Sequence, residues 1–218
     1  MKFAIVNGRK TEAASGEQGT CLHCSSRMVA RPGQGGIWQW VHVEGSPCDP
    51  WLEAETRWHR QWKSRFPADW QEVPHADPAS GECHIADVKT GSGLILRFQH
   101  SLLQPTDCNC REDFYGRMVW VVNGRRSEVD ASCFNLGLKG LIGTEPIAYR
   151  LHWHGRGQLL RNWSDASAAV YLDFGADILW QLVQYDSPRK MGVVGPVPRQ
   201  MFVDDCINGA DIRTVIAR

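Results

Sequence analysis

The stretch HIADVKTGSGLILRFQHS, residues 84–101, contains two apolar runs separated by the sequence TGSG. Glycine and serine at this point predict a turn between two strands. Because side chains alternate along a strand, Asp87 is expected on one face of the first strand, and Arg97 and Gln99 share a face of the second. The two strands would then direct polar groups into one cleft, unless Asp87 and Arg97 simply form a structural salt bridge.

The segments around this stretch predict the element order helix, three strands, helix, strand. The first helix is expected after Asp49, a suitable N-cap, with Pro50 at its first position. Beyond residue 125, two runs that flank GAD predict a hairpin, so the C-terminal third is expected to be β-rich. The predicted elements are a helix at 51–66, strands at 70–75, 83–88 and 94–99, a helix within 105–116, a strand at 118–122, and a hairpin of 168–174 with 178–185.

The composition limits the class of protein more than its function. Lysine and arginine number 24, and aspartate and glutamate number 24, so the zero net charge argues neither for nor against nucleic acid binding. No apolar run approaches roughly eighteen residues, and MKFAIVNGRK resembles a first strand rather than a signal peptide. We therefore expect no membrane partner and a cytoplasmic location. Eight cysteines without an export signal favour metal ligation or burial over disulfides.

A first constellation begins with CLHC, which places two cysteines three positions apart. Two more soft ligands follow about twenty residues later, and together they fit a tetrahedral structural zinc site. The predicted zinc ligands are Cys21, Cys24, His42 and Cys48. The alternative is a set of buried free cysteines, and His23 could replace His42, although it lies inside the CLHC turn. The remaining cysteines are expected to take no part: Cys83, Cys108, Cys110, Cys133 and Cys206.

A second constellation is the helical sequence ETRWHRQWK, residues 55–63. Glu55 and His59 are four positions apart and therefore share a helical face, together with inward-pointing tryptophans. A carboxylate and an imidazole on an apolar stripe form either a satisfied core pair or a functional site. Spacing alone favours the core pair.

The order of the motifs ETRWHRQWK, EV, HIADV, FQHS, RxxFY and MVWVVNG resembles the competence protein CoiA-like family. The resemblance covers most of the chain and is most specific from Glu55 to Gly124. It implies an α+β or α/β protein whose core is a PD-(D/E)XK nuclease-like domain with the order αβββαβ. The implied segments are a zinc-ribbon-like module at 1–48, the nuclease-like core at 49–124 and a β-rich extension at 125–218.

The resemblance also assigns roles to individual residues. It implies that Asp87 is the metal-binding aspartate of the second core strand and, with Glu55, holds catalytic Mg²⁺ or Mn²⁺. Gln99 stands where the nuclease superfamily usually has a lysine. The implied site residues are Glu55, His59, Glu72, Asp87, Gln99 and His100, and Ser101, Arg111 and Tyr115 complete the matched motifs.

Arg97 departs from the pattern of the family, whose members typically have glutamate there. A guanidinium cannot bind a cation, and a buried one needs an anionic partner. With no metal bound, we expect Arg97 to contact a carboxylate, either Asp87, Glu72 or Glu55.

Two interpretations of the function stay open. In the first, the protein is a Mg²⁺-dependent deoxyribonuclease in which Glu55 or Glu72 supplies the missing acid. Solvent, His59 or His100 would then be the general base. In the second, it is a catalytically inactive nuclease-fold protein that binds DNA or a protein partner; a purely structural zinc protein would leave the acids unexplained. The basic candidates for phosphate contact are Arg57, Arg60, Lys63 and Arg111.

Overall fold

The computed structural model describes residues 1–44, 48–144, 146–154, 159–210 and 212. The chain forms two compact units, Met1–Lys89 and Thr90–Arg218, which we call unit 1 and unit 2. It is a mixed α+β protein, and unit 2 contains a large sheet with both parallel and antiparallel neighbours. The division of the sequence into 1–48, 49–124 and 125–218 stays a prediction.

Unit 1 begins with an antiparallel five-stranded sheet in the order β2-β1-β3-β4-β5. The turn between the first two strands is Asn7-Gly8, where both residues have positive φ, as a tight two-residue hairpin requires. The strands are β1 (Phe3–Val6), β2 (Arg9–Glu12), β3 (Gln18–Thr20), β4 (Arg27–Pro32) and β5 (Trp38–His42). Their small core consists of Ala4, Cys21, Met28 and Trp40.

The helix of unit 1, α1 (Arg57–Lys63), is shorter than the predicted helix at 51–66. Thr56 is its N-cap, and a capping box joins the Thr56 hydroxyl to the backbone N–H of His59 and the His59 ring to the backbone N–H of Thr56. The predicted cap at Asp49 is therefore wrong.

Asp49 instead connects the chain before α1 to the second of two further strands, β6 (Gln71–Ala76) and β7 (Cys83–Lys89). Its fully buried carboxylate accepts the backbone N–H of Ile85 at 2.7 Å and that of Trp51 at 2.8 Å. Because both bonds satisfy polar groups in the interior, Asp49 is not available to begin a helix. The two strands pair antiparallel and agree with the predicted runs within one residue.

Unit 2 contains a sheet whose hydrogen-bonded neighbours follow the order β10-β11-β14-β13-β12-β9-β8. Its elements are β8 (Ile95–Gln99), α2 (Pro105–Tyr115), β9 (Met118–Asn123), α3 (Glu128–Gly137), β10 (Leu138–Thr144), β11 (Ile147–His152), α4 (Leu159–Asn162), β12 (Ala169–Asp173), β13 (Ile178–Asp186), β14 (Met191–Pro198) and α5 (Arg199–Asn208). The predicted hairpin is confirmed, because β12 and β13 pair antiparallel.

Three strands of unit 2 are parallel to one another: β8 to β9, and β9 to β12. All residues of β8 are buried, Arg97 and Gln99 included, so neither of its faces is solvated. The chain thus contains α1, β6, β7, β8, α2 and β9 in the predicted helix and strand order. Among the described residues, no helix is both long enough and apolar enough to cross a membrane.

Candidate functional site

The first candidate is a group of four side chains in unit 1, Cys21, Cys24, His42 and Cys48, which we call the Cys/His cluster. One ligand atom from each lies within 4.8 Å of all the others. The Cys21 and Cys48 sulfurs are 3.6 Å apart, and the Cys24 sulfur lies 3.3 Å from His42 Nε2. The prediction that these four residues come together is confirmed, and they could bind a metal such as zinc.

The local chain geometry explains why the CLHC sequence forms a knuckle. The backbone N–H of Cys21 donates to Ser26 at 2.9 Å, and that of Ser25 donates to Cys21 at 3.1 Å. Ser25 adopts a φ of 60°, which reverses the chain within one turn. The hairpin of β4 and β5 then places His42 opposite Met28, beside the knuckle.

Hydrogen bonding also affects the thiols. Burial raises the pKa of Cys24, but hydrogen bonds with Ser26 and His42 outweigh it and lower the pKa to about 6. Burial raises the pKa of Cys48, and contacts with the other thiols raise it further. The alternative ligand His23 lies close as well, since its Nδ1 is 3.3 Å from the Cys48 sulfur.

The second candidate, also in unit 1, consists of Glu55, Lys63, Glu72 and Asp87, which we call the Lys63 cluster. The Lys63 ammonium lies 2.7 Å from a Glu55 oxygen, 2.8 Å from a Glu72 oxygen and 3.9 Å from an Asp87 oxygen. All four side chains are buried. Burial would lower the pKa of Lys63, but the three carboxylates outweigh it and raise the pKa, so the ammonium stays charged.

The structure places Lys63, one of the predicted phosphate contacts, in the interior. Only 3% of its surface is exposed, because α1 turns this face toward the acids of β6 and β7. Arg60 is also engaged, with Nε 3.4 Å from a Glu55 oxygen. Arg57 remains exposed on α1 and donates to the Gly35 carbonyl at 3.0 Å.

Glu72 has an unusual backbone, with a φ of 47°. This left-handed conformation is rare for residues other than glycine and persists where the surroundings hold it. The Glu72 carboxylate accepts the backbone N–H groups of Lys2 at 2.7 Å and Phe3 at 2.8 Å. Burial raises its pKa, but the charges of Lys63 and the N-terminal ammonium and the hydrogen bonds from Lys2 and Lys63 outweigh it and lower the pKa to about 2. The ionised Glu72 carboxylate therefore links β1 to β6 by hydrogen bonds.

His59, the other predicted residue of α1, lies beside a different acid from the one expected. Its Nε2 is 3.1 Å from a Glu53 oxygen, and its Nδ1 accepts the Thr56 backbone N–H at 3.3 Å. A backbone N–H can only donate, so Nδ1 carries a lone pair and Nε2 donates to Glu53. In this geometry His59 stabilises the beginning of α1.

Unit 2 contains the remaining predicted site residues. Gln99, 1% exposed, donates from Nε2 to the carbonyl and hydroxyl of Ser101, both at 3.2 Å. Its Oε1 is 3.5 Å from an Arg111 nitrogen, and Arg111 is buried as well. The Arg97 guanidinium lies 5.9 Å from the centre of the Tyr115 ring. The expected contact of Arg97 with a carboxylate stays a prediction.

His100, partly buried, follows the last residue of β8. Its Nδ1 lies 2.9 Å from the side-chain nitrogen of Asn123, which ends β9.

Sequence reasoning missed two contributors to these sites. Lys63 was expected to contact phosphate, although it follows His59 by four positions, so the helical period already placed both on one face. Asn123 was not among the predicted site residues, and its contact with His100 depends on the pairing of β8 with β9, which no local pattern predicts.

Comparisons of the chain with protein-family models, with curated proteins and with solved structures give no match. They neither support nor contradict the resemblance to the CoiA-like family.

Proposed function

We propose that the protein is a CoiA-like nuclease-fold protein that acts on DNA by phosphodiester hydrolysis, with one structural Zn²⁺ in its Cys/His cluster. One observation carries the proposal. Glu55, Glu72 and Asp87, the acids that the resemblance assigns to the helix and the first two core strands, gather around a single buried ammonium. A cytoplasmic location is part of the same proposal.

The zinc assignment is supported by the type and number of ligands. Three thiols and an imidazole converge within 4.8 Å, which fills the four positions of a tetrahedral ion. Four protein ligands leave no open position for substrate, so this ion would hold the fold and would not catalyse.

The Lys63 cluster has the carboxylate oxygens that Mg²⁺ or Mn²⁺ prefers. Both Glu72 oxygens already accept backbone N–H groups, so Glu55 and Asp87 are the residues that would hold the ion. Such an ion would supply an activated water and stabilise charge on the phosphate. The Lys63 ammonium competes for the same oxygens, because it lies 2.7 Å from Glu55.

The chain's own residues would perform the other tasks. Lys63 holds Glu55 and Glu72 in place and lowers the pKa of Glu72. Arg57, exposed on α1, would contact a DNA phosphate. The resemblance adds Gln99, whose amide is held by Ser101 and would orient water or phosphate.

The Lys63 ammonium also supports a second function, in which the protein binds a partner without catalysis. An ion pair at 2.7 Å neutralises Glu55 without any metal. Arg97 stands where the family typically has its second metal-binding acid. In this version the nuclease fold would bind DNA or a protein partner.

A cleavage assay on labelled single- and double-stranded DNA, with Mg²⁺ or Mn²⁺, separates the two functions. For the enzyme, we expect metal-dependent cutting that Asp87→Asn abolishes and Arg97→Glu increases. Asp69→Asn, a change at an exposed acid of the same unit, is the matched control and should cut like wild type.

If neither wild type nor Arg97→Glu cuts any DNA tested, the enzyme proposal is wrong and the binding function is favoured. DNA binding should then weaken with salt, because phosphate contacts release counterions. Binding that does not change with salt would indicate a protein partner instead.

A further inference from the structure

His100 and Asn123 lie side by side in unit 2, where two parallel strands end. The last pair of β8 and β9 is Gln99 opposite Val122, and the residues that follow this pair in the chain are His100 and Asn123. The carboxyl ends of parallel strands are where open α/β sheets bind their ligands. The His100 Nδ1 lies 2.9 Å from the Asn123 side-chain nitrogen.

The orientation of the Asn123 amide is fixed by the main chain. The backbone N–H of Arg125 donates to Asn123 Oδ1 at 2.9 Å. A backbone N–H cannot accept, so the oxygen must face Arg125 and the NH₂ group must face His100. The turn that follows Asn123 is fixed by a further hydrogen bond, in which the Gly124 N–H donates to the Asp173 carbonyl at 2.9 Å.

This orientation determines which nitrogen of His100 carries the proton. The Asn123 NH₂ group can only donate a hydrogen bond, so His100 Nδ1 must accept it with its lone pair. The proton of the neutral ring is then on Nε2. A second proton on Nδ1 would oppose an N–H of Asn123 and break the hydrogen bond.

We propose that Asn123 is a positioning residue that holds His100 as a neutral imidazole with its proton on Nε2, for donation to a phosphate oxygen. A general base at Nε2 needs a lone pair there, which this tautomer lacks. The tautomer rests on contacts within unit 2 alone, whereas the phosphate as acceptor rests on the proposed function. This role of His100 differs from that of general base, for which the sequence left solvent, His59 and His100 open.

Nitrogen NMR of the full chain, labelled with ¹⁵N and held at neutral pH, tests the tautomer directly. His100 is assigned by the signals that disappear in His100→Gln. We expect the wild-type ring to carry its proton on Nε2, and Asn123→Asp, which replaces the donor by an acceptor, to move it to Nδ1. A wild-type ring protonated on Nδ1, or on both nitrogens, overturns the proposal, and this result needs no variant of Asn123 to fold.

The phosphate role is tested by replacing the ring. Glutamine keeps an N–H near the position of Nε2, so His100→Gln should lose less than about tenfold in cleavage or DNA affinity, whereas His100→Ala loses more. Removal of a general base would instead cost about 10²–10⁴-fold in either variant. The control is His154→Gln, at an exposed histidine of unit 2.

Equal losses in His100→Gln and His100→Ala would overturn the donor role. If the wild type neither cuts nor binds DNA, the proposed function and the phosphate role are both wrong, while the NMR result still decides the tautomer.

Discussion

The Cys/His cluster and the Lys63 cluster lie in the same unit, and both gather the side chains that metals prefer. In the first, one ligand atom from each of three cysteines and one histidine lies within 4.8 Å of the others. In the second, buried carboxylates surround an ammonium that belongs to the chain. The first cluster is thus suited to a cation from outside, while the second already contains one. The two clusters therefore differ in the charge that the fold places among the potential ligands.

The largest expected effect is that of zinc removal. We expect one bound zinc per chain, and Cys24→Ser or a strong chelator should remove it and unfold the N-terminal sheet. Structural zinc contributes roughly 10–16 kcal/mol in small zinc-binding peptides, so a loss of several kcal/mol is expected here. Elemental analysis and thermal unfolding measure both effects. Cys110→Ser, at an exposed cysteine, is the control, and zinc retained at full stoichiometry in Cys24→Ser would contradict the assignment.

The second-largest expected effect is the loss of stability when the Lys63 ammonium is removed. Lys63→Met leaves Glu55 and Glu72 buried without their ammonium, and breaking a buried pair in this way costs about 3–5 kcal/mol. Urea unfolding measures the loss. The control, Arg65→Met, removes an exposed charge that lies 5.6 Å from the Trp62 ring and should cost less than about 1 kcal/mol.

Lys63→Met should keep its zinc, which would show that the two clusters are independent. Equal stability of Lys63→Met and Arg65→Met would mean that the ammonium does not hold the acids together.

The smallest of the three effects is a pH dependence. Burial raises the pKa of Glu72, but Lys63, the N-terminal ammonium and the hydrogen bonds from Lys2 and Lys63 lower it from 4.5 to about 2 in the folded chain. Because the folded pKa is the lower one, the stabilisation is present above the ordinary pKa and is lost as the pH falls toward about 2. The loss is about 3 kcal/mol.

Urea unfolding from about pH 6 to about pH 2 should therefore show a shallower decline in Glu72→Gln than in wild type. Glu128→Gln, at an exposed acid, should follow the wild-type curve. Identical curves for wild type and Glu72→Gln would show that Glu72 does not titrate with a lowered pKa.

The sequence predicted those features that depend on neighbouring residues, and it did not predict those that depend on contacts between distant segments. The CLHC knuckle and the hairpin of β12 and β13 follow from short-range spacing and alternation, and both were found. The beginning of α1 was not, because Asp49 and Pro50 have the signals of a helix start while the Asp49 carboxylate is used by β7. The burial of Lys63 depends on acids from β6 and β7, and no pattern within α1 distinguishes it from a solvated charge.

The hydrogen bonds between Glu72 and β1 affect the order in which unit 1 folds. The Glu72 carboxylate receives the N–H groups of Lys2 and Phe3, which are 70 and 69 positions away in sequence. Closing a loop of this length costs roughly 4 kcal/mol of chain entropy. We therefore expect the contact between β1 and β6 to form late, after the β1–β2 hairpin, α1 and the β6–β7 hairpin have formed locally. The contact between the N-terminal sheet and β6 can form only once residue 72 has been synthesised, so this sheet would acquire its final stability after synthesis has passed well beyond its own last strand.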